Sequence, residues 1–141
     1  MIKRYLGLDV GDRTIGIAVS DALGLTAQGV ETIRRTSLKD DLARLKTLMD
    51  EYDTTSLVIG LPKNMDGTEG ERCAIVKAFF EEVKKAVPES DAVFWDERLS
   101  TVAAAKSLIS ADVSRRKRKK VIDKMAAVFI LQGFLDSGAK G

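Results

Sequence analysis

Asp9 interrupts Tyr5 to Val10, a segment otherwise built of apolar residues and one glycine. An acid is disfavoured in a strand and costly to bury unpaired, so something must compensate its charge. Two compensations are open: the amides of the following Gly11-Asp12 turn, or a cation. A second acidic feature, Asp96-Glu97, closes the apolar stretch Ala92 to Trp95 and is followed by Arg98. Strand ends are where α/β proteins collect binding groups, although such a pair also reads as a helix cap or an exposed ion pair. Asp123 stands near the start of the last helical segment, where the macrodipole alone favours an acid. Each carboxylate has a structural explanation by itself; the three together have a chemical one. Ala126 and Ala127, one turn after Asp123, permit close approach of helix to sheet, which would let Asp123 converge with Asp9 and Glu97. The same alanines also suit ordinary core packing. Three hard oxygen ligands with open coordination positions suit Mg2+ or Mn2+ rather than zinc, and such a cluster binds cations together with phosphate.

Composition narrows the chemistry further. The chain has no histidine, which removes Ser-His-Asp, Cys-His and histidine-based ribonuclease mechanisms and leaves carboxylate, lysine or metal chemistry. The single cysteine, Cys73, can neither form an internal disulfide nor build a Cys/His zinc cluster, and a reducing compartment fits it. The net charge of +2 is uneven: Arg115, Arg116, Lys117, Arg118, Lys119 and Lys120 form an unbroken run, and the other 17 basic residues face 21 acidic ones. A basic run on an otherwise slightly acidic chain reads as a nucleic-acid contact, against the plainer reading of a solvated linker. No apolar run approaches the roughly 20 residues of a membrane span, and the N-terminus has no signal-peptide pattern. A cytoplasmic protein without a membrane partner is expected.

The elements that must position these residues follow from periodicity. Tyr5 to Val10 and Thr14 to Ser20, the latter alternating Ile15, Ile17 and Val19, suggest a hairpin turning at Gly11-Asp12. The turn signal Asp21 to Gly24 leads to a third strand around Thr26 to Ile33. From the N-cap candidate Ser37, Leu38, Leu42, Leu45, Leu48, Met49 and Tyr52 recur at helical spacing. Ser56 to Leu61 reads as a short buried strand stopped by Pro62, followed by a loop from Lys63 to Gly70 and a helix from about Arg72 to Ala86. After the strand Ala92 to Trp95, Ser100 or Thr101 can cap an alanine-rich helix to about Ala111, and the last helix is expected from about Val121 to Leu135. Three hairpin-linked strands followed by alternating helix and strand predict an α/β fold: a mixed five-stranded sheet with three antiparallel N-terminal strands and helices on both faces. At 141 residues, one domain over 1–141 accommodates all of it.

The segments LGLDVGDRTIGIAVSD, VIGLPKNMDGTEGER, VFWDERLST and ADVSRRKRKKVIDKMAAVFILQGFL occur in this order over nearly the whole chain. Together they resemble the YqgF family, also called RuvX-like, of pre-16S rRNA nucleases related in fold to Holliday-junction resolvases. The resemblance implies a ribonuclease H-like fold, with Asp9, the pair Asp96-Glu97 and Asp123 as the catalytic, metal-binding acids. Glu97 is favoured over Asp96 as the inward member, and a one-residue change of register would exchange them. The implied reaction is phosphodiester hydrolysis with Mg2+ or Mn2+, in an assumed two-metal arrangement. The implied substrate is the 5′ region of pre-16S rRNA, with branched DNA as the alternative, and the protein would act as a monomer or weak homodimer. Lys63, Asn64, Arg72, Arg98 and the run Arg115 to Lys120 are the candidate phosphate contacts; for Arg98 and the Lys63-Asn64 loop, a surface ion pair and a solvated loop are the plainer readings. Two other classes stay in view. Asp9-Val-Gly with its hairpin also resembles the first phosphate loop of actin-like ATPases, which close two such domains around a nucleotide. An inactive RNA-binding module that kept the fold is the other.

Overall fold

The structure, a computed structural model, describes residues 4–99 and 115–138, and for residue 99 and residues 115–124 the backbone alone. The alanine-rich helix expected from Ser100 or Thr101 lies outside the described residues. Five strands, β1 (Leu6–Val10), β2 (Thr14–Ser20), β3 (Ala27–Arg34), β4 (Ser56–Leu61) and β5 (Asp91–Asp96), form one sheet in the order β3-β2-β1-β4-β5. The first three make the expected antiparallel meander. Gly11 N–H donates to Thr14 O at 2.9 Å to close the first turn, and the Asp21 carboxylate closes the second by accepting from Leu25 N–H at 2.8 Å. β4 runs parallel to β1, and β5 parallel to β4. The helices α1 (Leu38–Glu51) and α2 (Glu71–Ala86) make the connections that parallel pairing requires. Ser37 Oγ accepts from Asp40 N–H at 3.2 Å at the start of α1, and Asp53, at φ +52°, takes the left-handed conformation just beyond its end.

The sheet has two covered faces, and the strand sequences divide accordingly. Leu6, Leu8 and Val10 of β1, Ile15, Ile17 and Val19 of β2, and Leu57, Ile59 and Leu61 of β4 join one core with Leu45, Leu48, Val76, Phe79 and Val83 of α1 and α2. Burying each such side chain contributes about 1.5–3 kcal/mol relative to exposure. The intervening positions are smaller: Ala18 and Val58 pack with Ala126, Ala127, Ile130, Leu131 and Phe134 of a third helix, α3 (Arg115–Asp136). β2 is therefore buried at every position after Thr14, although its pattern alternates, because its second face is covered by a helix instead of water.

α3 starts about two turns earlier than its apolar residues suggested, taking in the whole basic run. Lysine and arginine are good helix formers, so the hydrophobic pattern marks where α3 packs and not where it begins. Asp123 is accordingly the ninth residue of the helix and not a member of its first turn. α3 lies across β3, β2, β1 and β4, and it runs opposite to β1, since its later residue Phe134 meets Tyr5 and its earlier residues Ala127 and Leu131 meet Gly7. Phe134 packs edge-on against Tyr5, with ring centroids 5.0 Å apart, while Leu131 and Ala127 lie over Gly7. Gln132 fixes the helix to the β2–β3 turn, accepting from Ala27 N–H at 2.9 Å and donating to Leu25 O at 3.0 Å. No helix among the described residues is long and apolar enough to cross a membrane.

Candidate active site

The parallel strands β1, β4 and β5 end on one edge of the sheet, where Asp9, Asp96 and Glu97 lie. Asp9 is the penultimate residue of β1 and is half-buried. Strand alternation turns it to the face of Gly7, which is the face of α3, because Leu8 and Val10 fill the opposite core. On β5, Trp95 packs with α3 and Phe94 with α2, so alternation carries Asp96 away from α3. Glu97 then leaves the strand in a short 3-10 turn, Glu97–Leu99. Its Oε1 lies 2.8 Å from where a Cβ on Gly60 would stand, and that same Cβ would meet Ile130 of α3. The Glu97 carboxylate thus lies on the α3 face, over β4. The register of β1 with β4 pairs Leu8 with Ile59, which carried one step further sets Asp9 level with Gly60, one strand spacing of about 4.8 Å away.

Asp123 stands one turn before Ala127 along α3, and the helix direction carries that turn from Gly7 toward the Asp9 end of β1. Its side chain, like those of Arg115 to Lys120, lies outside the described residues. Among the described residues no three acids gather into a metal-holding group. The close approach expected from Ala126 and Ala127 has counterparts on the sheet that sequence reading passed over. A Cβ on Gly7 would come within 2.7 Å of Leu131 Cβ and 3.0 Å of Ala127 O, and one on Gly60 within 2.4 Å of Ile130 Cδ1. Glycine inside a strand, opposite a helix carrying small residues, is the signal that pointed to them.

The remaining candidates are tied into local networks. Arg98 donates through Nη2 to Asp96 Oδ2 at 2.8 Å and through Nη1 to Met65 O at 3.3 Å, fastening the β4–α2 loop to the end of β5. The Arg98 guanidinium and then its amide hold the Asp96 carboxyl below its ordinary value, and Asp96 in turn raises that of Arg98. Within the loop, Asn64 Nδ2 donates to Thr68 Oγ1 at 3.0 Å, and Thr68 Oγ1 and N–H donate to Asp66 Oδ1 at 2.6 and 3.0 Å, lowering the Asp66 carboxyl. Gly67, at φ +88°, allows the turn. Lys63 stands half-buried at the start of this loop, and the following tip residue, Met65, is 94% exposed. Arg72, in the first turn of α2, donates to Asp12 Oδ1 at 2.6 Å and to Val10 O at 3.2 Å. Arg35, which carried no signal in the sequence, donates to Gly11 O at 2.9 Å and pairs with the buried Asp41.

Known proteins share both sequence and fold with this chain. A family model described as RuvX, Holliday junction resolvase, matches residues 3–137. A Desulforamulus reducens protein bearing the name "Putative pre-16S rRNA nuclease" is 59% identical over 97% of this chain and 99% of its own length. One of the same name from Clostridioides difficile is 60% identical over 94% of each. Among solved structures, Thermus thermophilus RuvC in complex with a Holliday junction substrate matches with a TM-score of 0.63 at 11% identity, covering 99% of this chain and 98% of that one. A fowlpox virus Holliday junction resolvase matches at 0.51 and 12%, over 95% and 98%. At those identities the likeness is one of fold, the ribonuclease H-like arrangement of a mixed sheet between helices.

Proposed function

The chain belongs to the RuvX family and is a nuclease, an enzyme that hydrolyses phosphodiester bonds, and from that premise we propose that it trims precursor 16S rRNA at its 5′ end, using Asp9, Glu97 and Asp123 as metal-binding acids. The observation that carries the assignment is the Glu97 carboxylate lying over Gly60, beside the strand that carries Asp9 and on the α3 face. The names of the two relatives support the RNA substrate. The family description supports a second reading, branched DNA. In either case the protein works in the cytoplasm as a monomer or weak homodimer.

The donor set fits Mg2+ or Mn2+: hard carboxylate oxygens, with no histidine or available thiol to draw a softer metal. Such an ion, bound by these acids, supplies activation of water and countercharge to the leaving oxygen. The chain's own groups do the rest. Glu97 and Asp9 present oxygens from two strand ends held by the sheet, so little reorganisation is needed when phosphate arrives. Gly60, having no Cβ, leaves room for the Glu97 carboxylate beside it. Lys63, Asn64 and Arg98 line the adjoining loop, and the run Arg115 to Lys120, in the first turns of the helix that carries Asp123, grips the nucleic-acid backbone. Arg72 is engaged at the turn after Asp9.

Cleavage of precursor rRNA, unrelated RNA and four-way DNA junctions, side by side with Mg2+, Mn2+ or EDTA, tests this reading. Metal-dependent cutting of precursor rRNA is expected, abolished in Asp9→Asn at an unchanged circular dichroism spectrum. Preferential cutting of junctions would transfer the function to branched DNA. Full activity of Asp9→Asn would remove the proposed site.

A further inference from the structure

Two guanidinium groups converge on the turn that follows Asp9. Val10 O accepts from Arg72 Nη2 at 3.2 Å, and Gly11 O accepts from Arg35 Nη1 at 2.9 Å, so both carbonyls immediately after Asp9 are held by arginine. Each arginine is anchored in turn. Arg72 pairs with Asp12 through Nη1, whereas Arg35 donates through Nε to Asp41 Oδ2 at 2.9 Å and stacks on the Phe79 ring with its Cζ 5.3 Å from the centroid. Asp41 is buried, and its other oxygen accepts from Thr36 N–H at 3.2 Å. The end of β1 is thereby fixed to α1 through Asp41 and to α2 through Phe79 and Arg72. Both arginines bind main-chain carbonyls whose positions depend on the same backbone that aims Asp9. A guanidinium can hold a carbonyl and a carboxylate at once in one plane, which an ammonium cannot reproduce.

We propose that Arg35 and Arg72 are positioning residues: they fix the turn Val10-Gly11-Asp12 and so set the direction of the Asp9 carboxylate toward its cation. The inference rests on Asp9 holding a divalent ion. It assigns Arg72 a role distinct from phosphate contact, and Arg35 a role that nothing in its sequence surroundings announces. Groups that orient metal ligands from behind typically contribute 10–100-fold in metal affinity or activity.

The test measures Mn2+ binding by electron paramagnetic resonance without substrate, alongside kcat and KM for cleavage and circular dichroism. The proteins are wild type, Arg72→Lys, Arg35→Lys and Asp9→Asn. The expected result is a loss of roughly 10-fold or more in Mn2+ affinity for both lysine variants. It should come with a fall in kcat, an unchanged KM and an unchanged salt dependence of nucleic-acid binding. Arg72 is the more exposed of the two, so Arg72→Lys keeps the test valid if Arg35→Lys fails to fold. Wild-type Mn2+ affinity in Arg72→Lys, with Asp9→Asn no longer binding, overturns the positioning role while leaving the active-site reading intact. A raised KM with a shallower salt slope also overturns it, in favour of phosphate contact. Wild-type Mn2+ binding by Asp9→Asn overturns both the inference and the site reading beneath it.

Discussion

A methyl group at position 60 would stand 2.4 Å from Ile130 Cδ1 and 2.8 Å from Glu97 Oε1. The first neighbour is the far end of a flexible side chain; the second is a carboxylate whose place defines the proposed site. Gly60→Ala is expected to cost about 1–3 kcal/mol of stability by overpacking, read from urea denaturation. It should also lower cleavage, on the order of 10-fold or more, because a full 1 Å misplacement at a reacting centre costs about 100-fold and the Glu97 carboxylate must give by part of that. Adding Ile130→Val removes Cδ1 and leaves Glu97 as the principal remaining conflict. The double variant should regain much of the stability and little of the cleavage. Recovery of both together would show that the Glu97 position is immaterial to catalysis. Asp96 supplies the contrast, since its carboxylate is engaged by Arg98 on the opposite side of the strand, and Asp96→Asn should spare far more activity than Glu97→Gln in the same assay.

At the scale of elements, the β4–α2 loop is a short irregular segment held by charge. Asp66 is bound by the Thr68 hydroxyl and amide, Asp96 by the Arg98 guanidinium and amide, and Glu69 by Lys77. The side-chain partners lower each carboxyl first: Thr68 for Asp66, Arg98 for Asp96, Lys77 for Glu69. A carboxyl depressed in the folded protein contributes stability that is present above its unfolded pKa and lost as pH falls through the folded one. The Asp66 and Asp96 contacts should therefore stay intact at neutral and mildly acidic pH and loosen only below the ordinary aspartate value of 3.8, the Glu69 contact below the ordinary glutamate value of 4.5. Amide proton shifts of Thr68 and Arg98, followed by NMR against pH, should inflect below that value. Asp66→Asn should remove the Thr68 inflection alone, and Asp96→Asn that of Arg98 alone. Inflection at or above 3.8 would mean that these contacts do not hold in solution.

For the whole molecule, the decisive asymmetry is one of charge: six of 23 basic residues lie in Arg115 to Lys120, leaving the rest slightly acidic. Contacts to phosphate release counterions, so binding should weaken with salt at a log–log slope of roughly −0.7 per phosphate on single strands and −0.9 on duplex. Replacing the six by glutamine in an Asp9→Asn background should flatten that slope and weaken unrelated sequences alike, because backbone contacts carry little sequence information. An unchanged slope would move the nucleic-acid surface elsewhere, beginning at Lys63 and Arg98. Much of the molecule was legible in the sequence. Alternation gave β2 its bounds, helical spacing gave α1 and α2, and an acid inside an apolar strand drew attention to Asp9, because these patterns are short-range and mirror backbone geometry. The length of α3 was not legible, since its first turns lack the apolar face that reveals a helix. Strand order, the face to which Glu97 turns, the glycines that let α3 approach, and the reach of Arg35 and Arg72 to carbonyls 24 and 62 residues away were decided by tertiary structure. These depend on which apolar surfaces bury one another across the chain, and no local period encodes that choice.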